Sequence, residues 1–345
     1  MAMSVPSAPH YSEALARQSQ LIKPTGALGK LESLSAWICS VQGLCPPRDF
    51  QNPMLVILAG DHGVARSGVS AYPSEVTRQM LGGFLYGGSA ATSLSRSLGI
   101  GLKVFDIAID CEPEGIPAEV IRYKVRRSSG DISFESALTK TEVIVAMDSG
   151  KAIANALIAQ GTDLFLVGDM GIGNTTVGAA LVGVLTRGSV DDVLGRGTGI
   201  DDAAFARKRI ALAAAIARGE PFADDPVDLL CEIGGADFAA MVGLLLQSAV
   251  SGIPTVLDGL MTTAAALVAK AISPTATGWW QPSHQSTEPA HSRALLALEK
   301  EPLINLGMRL GEGSGALMAY PILQAAITTL RDMSTFEEAR VSNRA

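Results

Sequence analysis

The chain predicts a parallel α/β fold, and three observations carry that expectation. Short apolar runs of strand length recur along the sequence, long Ala-rich or Leu-rich stretches separate them, and several runs end on an acid beside glycine. A continuous apolar run marks a strand covered on both faces, and strands alternating with helical stretches build a parallel sheet flanked by helices.

Taken in order, Leu31, Leu34, Ile38 and Val41 fall at helical spacing within Lys30 to Leu44, after a Lys-Pro-Thr-Gly turn at 23–26, and predict an amphipathic helix. Pro46 and Pro47 punctuate, and Met54 to Ala59 (MLVILA) is the first buried strand. Val104 to Ile109, Leu164 to Val167, Pro254 to Leu257 and Thr277 to Trp280 read as further strands, about five to seven in all, spaced by stretches such as Ala152 to Gln160. Leu317 to Leu330 reads as a helix. The two ends, Met1 to Phe50 and Glu288 to Ala345, read as helical and pair as a smaller lobe. That leaves 51–287 as the large α/β domain carrying most of the site. The polar stretch from Asp332 to Ala345 is expected to be partly disordered.

Composition narrows the function. A chain of 345 residues is long enough for a sizeable core. A net charge of −7, with no Lys/Arg block, argues against nucleic acid or an anionic membrane as main partner and favours a small molecule. Cysteines at 39, 45, 111 and 231 form no C-x-x-C pair, so they read as reduced thiols of a cytoplasmic protein rather than a zinc site or disulfide frame. Met1 to Gln20 lacks the apolar stretch of a secretory signal, and every long apolar run is broken, as by Gln247 and Gly252, so no membrane span is expected. Four histidines, at 10, 62, 284 and 291, give no metal-ligand spacing, and neither a catalytic metal nor a cofactor is expected.

The chemistry concentrates at strand ends. Asp61, Asp169 and Asp258 each follow an apolar run and adjoin glycine or nearly so, where open α/β sheets bind their ligands, and the three acids are expected to stand together there. Gly171-Ile172-Gly173-Asn174-Thr175-Thr176 then supplies amides and hydroxyls at a helix start, a phosphate cradle in physical terms, though an ordinary N-cap needs only one of them. Gly195-Arg196-Gly197-Thr198-Gly199 leads toward Lys208, which by itself reads as a solvated surface charge. Arg309 to Ala316 sets a lone carboxylate, Glu312, among Gly311, Gly313 and Gly315, so that a ligand meets both the acid and the helix amides. The bland alternative is that Glu312 only favours the helix dipole, by roughly 0.3–1 kcal/mol. Neither G-x-x-x-x-G-K-[ST], G-x-G-x-x-G after the first strand, nor G-x-S-x-G occurs, which removes support for ATP hydrolysis, dinucleotide binding and serine hydrolysis.

Together, KPTGALGKLE at 23–32, AGDHGV at 59–64, VSAYPSEVT at 69–77, GDMGIGNTT at 168–176, GRGTG at 195–199, LDG at 257–259 and RLGEGSGA at 309–316 resemble the nicotinate-nucleotide:dimethylbenzimidazole phosphoribosyltransferases, in family order and over nearly the whole chain. The resemblance implies transfer of phosphoribosyl from nicotinate mononucleotide to 5,6-dimethylbenzimidazole, giving α-ribazole 5′-phosphate and nicotinate with inversion. It also implies a homodimer with a Rossmann-like parallel sheet and a small helical lobe from both chain ends. By that resemblance Glu312 is the catalytic base, flanked by Gly311 and Gly313. Gly171, Asn174, Thr175, Gly197, Lys208 and Ser286 hold phosphate and ribose, and the segment with Tyr72 and Met80 meets the aromatic base. Asp169 stands where the family often carries glutamate, one methylene longer, and is assigned to ribose hydroxyls or to charge balance. Two other readings stay open: the same transfer to adenine, another benzimidazole or a phenolic, since one methyl in an apolar pocket is worth only about 1–3 kcal/mol, and a non-catalytic nucleotide- or benzimidazole-binding sensor on the same fold.

Overall fold

Five strands form one all-parallel sheet in the order β2-β1-β3-β4-β5, with β1 Pro53–Gly60, β2 Gly101–Ala108, β3 Leu164–Met170, β4 Thr255–Leu257 and β5 Trp280–Pro282. The structure is a computed structural model, and residues 3–197 and 199–342 are described. In chain order the helices are α1 (Ala8–Gln20), α2 (Lys30–Gln42), α3 (Glu75–Tyr86), α4 (Ala90–Leu98), α5 (Ala118–Ile121), α6 (Lys140–Ala159), α7 (Asn174–Leu185), α8 (Val190–Val193), α9 (Asp202–Gly219), α10 (Pro226–Ile233), α11 (Ala236–Val250), α12 (Leu260–Ile272), α13 (Pro289–Leu298) and α14 (Ser314–Asp332).

The central pair explains the apolar runs. β1 is paired on both sides, from Pro53↔Leu164 to Ala59↔Met170 with β3 and from Met54↔Gly101 to Ala59↔Asp106 with β2, and Leu55 to Ala59 are buried. A strand hydrogen-bonded on both edges and covered on both faces has no solvent side, so alternation disappears from its sequence. Helix α11 packs on β1 and β2, α12 and α14 pack on β3, and α6 lies against α11. Helices α1, α2 and α14 pack on one another, with Ala14, Leu21, Ala36, Cys39 and Leu330 as a small apolar cluster of their own, while α13 packs on α7, α8 and α12. No helix among the described residues is long and apolar enough to cross a membrane.

Two element expectations need correction. Residues 277–279 belong to a 3₁₀ turn from Pro274 to Trp279, closed by Thr277 Oγ1 donating to Pro274 O, and strand pairing starts only at Trp280, opposite Thr255. β3 runs to Met170 instead of ending at Val167, which makes Asp169 a strand residue. The described part of the tail lies along the amino-terminal arm: Leu21 bridges Thr335, Ile22 N–H donates to Ser334 O at 3.1 Å and Phe336 N–H to Gln20 O at 2.9 Å. Those backbone bonds were invisible in a polar sequence. Residues 343–345 lie outside the described residues.

Candidate active site

The strand order reverses direction between β1 and β3, and a crevice opens beyond their carboxyl ends. There Gly171 lies against the Gly60 carbonyl so closely that a Cβ at 171 would collide with it. A cavity of about 100 Å³ follows, walled by Asp169, Gly171, Asn174, Thr175, Gly197, Ser286 and Gly311, and by Gly259, Met261, His284, Glu288 and Arg309. Seven of the residues singled out in the sequence thus share one cavity, although they come from four separate segments.

Glu312 is held beside it by strain and by two strand-end acids. Its φ is +61°, between Gly311 at +84° and Gly313 at +77°. An L-residue in that region costs of order 1–3 kcal/mol and persists where its surroundings over-determine it. Here Glu312 N–H donates to Asp169 O at 3.2 Å, and Asp258 accepts from the N–H groups of Gly313, Gly315 and Ala316 at 3.1, 2.8 and 3.0 Å. The expectation that a ligand would meet the α14 amides is therefore wrong: Asp258 occupies them as a cap. Gly168 completes the fit, because a Cβ there would run into the Glu312–Gly313 peptide.

The Glu312 side chain is buried and its Oε2 has no partner among the described residues. Burial raises its pKa above the ordinary carboxylate value, opposed by the Ala91 amide at the start of α4 and reinforced by the charge of Asp258. Asp169 accepts from Asn174 Nδ2 at 2.7 Å, and its pKa stands well above the usual range, first through desolvation and then through Asp258 and Asp237. Burial likewise raises Asp258, while His284, 3.7 Å away, favours its charged form.

Two cations stand at this cavity, Arg309 lining it and Lys208 behind Thr175. Lys208, read from the sequence alone as a surface charge, is fully buried and donates to Thr175 Oγ1 at 2.9 Å. Its hydrocarbon stem runs from α9 into the interior toward the first turn of α7. Desolvation lowers its pKa, and the charge of Glu288 opposes that. Arg309 Nη1 donates to Gly197 O at 3.0 Å, and Gly197 N–H donates to Glu288 Oε1 at 2.8 Å. Ser286 is buried, its N–H donating to Nδ1 of His291, whose pKa burial lowers to about 3.

Not every expected residue converges. Asp61 is not with Asp169 and Asp258; it accepts from Thr77 Oγ1 at 2.6 Å and Asp110 N–H at 2.9 Å, and so latches α3 to the sheet. Asp237 at the start of α11 takes its place in the acid cluster, bonded to His62 Nε2 at 3.2 Å. Tyr72 is 53 % exposed in the turn before α3, and Met80 is half-buried against the core; neither lines the cavity. The segment reaches the site through Thr77 instead, whose hydroxyl also accepts from Ile172 N–H at 3.1 Å. Sequence reasoning missed Asp237, His284, Glu288 and Arg309 as site residues. Arg309 stands within the glycine-rich string already singled out, but Asp237 and Glu288 carry no local signal.

Comparison with known proteins agrees with this geometry. A family model described as "Phosphoribosyltransferase" matches residues 3–341. The nicotinate-nucleotide–dimethylbenzimidazole phosphoribosyltransferase of Mycobacterium marinum is 50% identical over 340 residues, covering 99% of this chain and 94% of that one, and that of Mycobacterium tuberculosis is 49% identical over 342 residues with the same coverage. A crystal structure of the Thermus thermophilus enzyme of that name superposes with a TM-score of 0.91 at 38% identity, covering 98% of this chain and 100% of that one. With a likeness of that extent, and with its glycine-flanked carboxylate seated at the strand ends of the same sheet, the chain belongs to the nicotinate-nucleotide–dimethylbenzimidazole phosphoribosyltransferase family.

Proposed function

We propose that the chain transfers phosphoribosyl from nicotinate mononucleotide to 5,6-dimethylbenzimidazole, releasing nicotinate and forming α-ribazole 5′-phosphate with inversion at the anomeric carbon. One observation carries the residue-level reading: a buried carboxylate, Glu312, with one oxygen unpartnered among the described residues and its pKa raised, beside a cavity with a buried cation, Lys208, bonded to its Thr175 wall. In this reading one nitrogen of the benzimidazole attacks C1′ as the C1′–pyridinium bond breaks. The electron pair of that bond neutralises the ring nitrogen of nicotinate, and Glu312 takes the N–H proton from the other benzimidazole nitrogen. The leaving group is already cationic, so positioning and a base supply the catalysis, the base about 10²–10⁴-fold.

Phosphate and ribose sit along Gly171, Asn174, Thr175, Gly197 and Ser286, with Lys208 behind Thr175 as the counter-charge. Asp169 meets the ribose hydroxyls, its carboxyl held above the ordinary pKa by burial and by the neighbouring acids. The segment carrying Tyr72 and Met80, which reaches the site through Thr77, borders the aromatic base, Gly311 and Gly313 giving the close backbone on either side of Glu312. The working unit is a cytoplasmic homodimer; the exposed Leu310, between Arg309 and Gly311 at the cavity rim, and the exposed Leu306 four residues before it support burial of that face by a second subunit.

The test is to incubate purified protein with nicotinate mononucleotide and 5,6-dimethylbenzimidazole, without added metal, and follow both products by chromatography and mass. Nicotinate and α-ribazole 5′-phosphate in equal amounts are expected. Nicotinate alone would replace transfer by hydrolysis or call for another acceptor base, and tight binding of both substrates without product would replace the enzyme by a sensor.

A further inference from the structure

We infer that Glu288 is a positioning residue for nucleotide binding, fixing Gly197 through its amide and placing a negative charge near Lys208. The inference rests on the proposed phosphate site. Glu288 is the residue just before α13, buried to 6 % exposure, and nothing in its sequence surroundings marks it. Its Oε1 accepts the Gly197 N–H at 2.8 Å, while Oε2 is buried without a partner among the described residues. Gly195 packs so close to that carboxylate that a Cβ would strike it, so the loop is moulded around the acid. Gly197 in turn touches the other side of the site: a Cβ there would stand 3.1 Å from Thr175 Oγ1 and 3.6 Å from Lys208 Nζ. Glu288, Gly197 and Thr175 line the cavity, and Lys208 packs behind Thr175 as part of the same unit.

A buried ammonium without a nearby negative charge tends to give up its proton. Of the other charges on elements packed around α9, Glu220 is exposed at the far end of the helix, Asp192 is bound in the Ser189 capping box of α8, and the rest are committed elsewhere. Asp191 on α8 pairs with Arg209, Glu232 on α10 with Arg218, Asp228 with Lys140, and Asp202 with Arg196. Asp225 and Asp201 cap helices, Arg66 lies beside Asp110, and α7 carries no charge. Arg309 lies on the Gly197 carbonyl, and burial favours the neutral form of His291. Glu288 is the acid whose field favours the charged form of Lys208.

Glu288→Gln keeps an acceptor for the Gly197 N–H and removes the charge, which separates the field from the anchor. The measurement is kcat/KM for nicotinate mononucleotide against pH for wild type, Glu288→Gln, Glu288→Asp, Lys208→Met and the double variant Glu288→Gln/Lys208→Met. The alkaline limb of Glu288→Gln is expected to move to lower pH by about one unit, a tenfold loss at fixed pH above the limb, with kcat little changed. Glu288→Asp should restore the limb, and Glu288→Gln should not shift the profile further once Lys208 is methionine. An unmoved limb in folded Glu288→Gln, or a KM that falls because the carboxylate had competed with phosphate, overturns the inference while leaving the phosphate site standing. A Lys208→Met variant with unchanged nucleotide KM overturns the phosphate site itself, and this inference with it.

Discussion

Glu312 and Asp169 are joined backbone to backbone: the Glu312 N–H donates to the Asp169 carbonyl at 3.2 Å, so the strained glutamate is registered directly on the end of β3. A displacement of either residue moves the other. Four consequences can be measured.

Glu312→Gln keeps the shape and removes the proposed base. Turnover should fall by about 10²–10⁴-fold, with the KM for both substrates little changed and the melting temperature at neutral pH no lower than wild type. A variant with near-normal turnover in the two-product assay would remove Glu312 from the mechanism.

Burial raises the pKa of Glu312, so the carboxylate is lost on acidification at a higher pH than an exposed one would be. The acid limb of the kcat profile should accordingly lie above the ordinary carboxylate value of about 4.3, and it should vanish from the residual activity of Glu312→Gln. A limb shared by both proteins belongs to another group.

Asp258 accepts three amides at the start of α14, and asparagine offers only one acceptor oxygen and a donor in place of the other. Asp258→Asn should cost about 1–3 kcal/mol in denaturant unfolding and lower kcat as well, because the same cap aims the Glu312 loop. Gly168→Ala should reproduce the loss of kcat by a different route, pushing its methyl into the Glu312–Gly313 peptide. Full activity in both would show that the loop tolerates displacement.

Asp169 has its folded-state pKa raised well above its unfolded value. Its contribution to stability is complete below the ordinary carboxylate pKa and is lost as pH rises through the raised one. Asp169→Asn is free of that loss, so its gain in unfolding free energy over wild type should grow from pH 4 to pH 8, reaching about 0.5–2 kcal/mol at the upper end. The gain is measured by thermal unfolding at each pH, and a difference independent of pH would contradict the assigned cause.

The strands β1, β3 and β4 were legible because strands buried on both faces are written as unbroken apolar runs, and the Glu312 string because three glycines around one acid have few structural reasons. β5 was misplaced by its neighbouring tryptophan, since Trp279 and Trp280 are equally apolar and only the ladder to Thr255 separates turn from strand. Lys208 was misread for a comparable reason: one lysine on an Ala-rich helix looks solvated until its neighbours are known, and here they bury it against Thr175.

By itself the sequence determined the local content of this protein: which runs must be buried strands, where glycine permits positive φ, which loops carry amides, hydroxyls and acids, and, through its motifs, the family. Those properties are written in neighbouring residues, because periodicity and turn chemistry act over a few positions. Only the tertiary structure decided which groups meet. Asp237 rather than Asp61 joins the acid cluster, Asp258 rather than a ligand takes the α14 amides, and Glu288 faces Lys208 across the Gly197 loop. Partners some 50 to 90 positions apart are chosen by the strand order and by what each buried polar group must find in the absence of water.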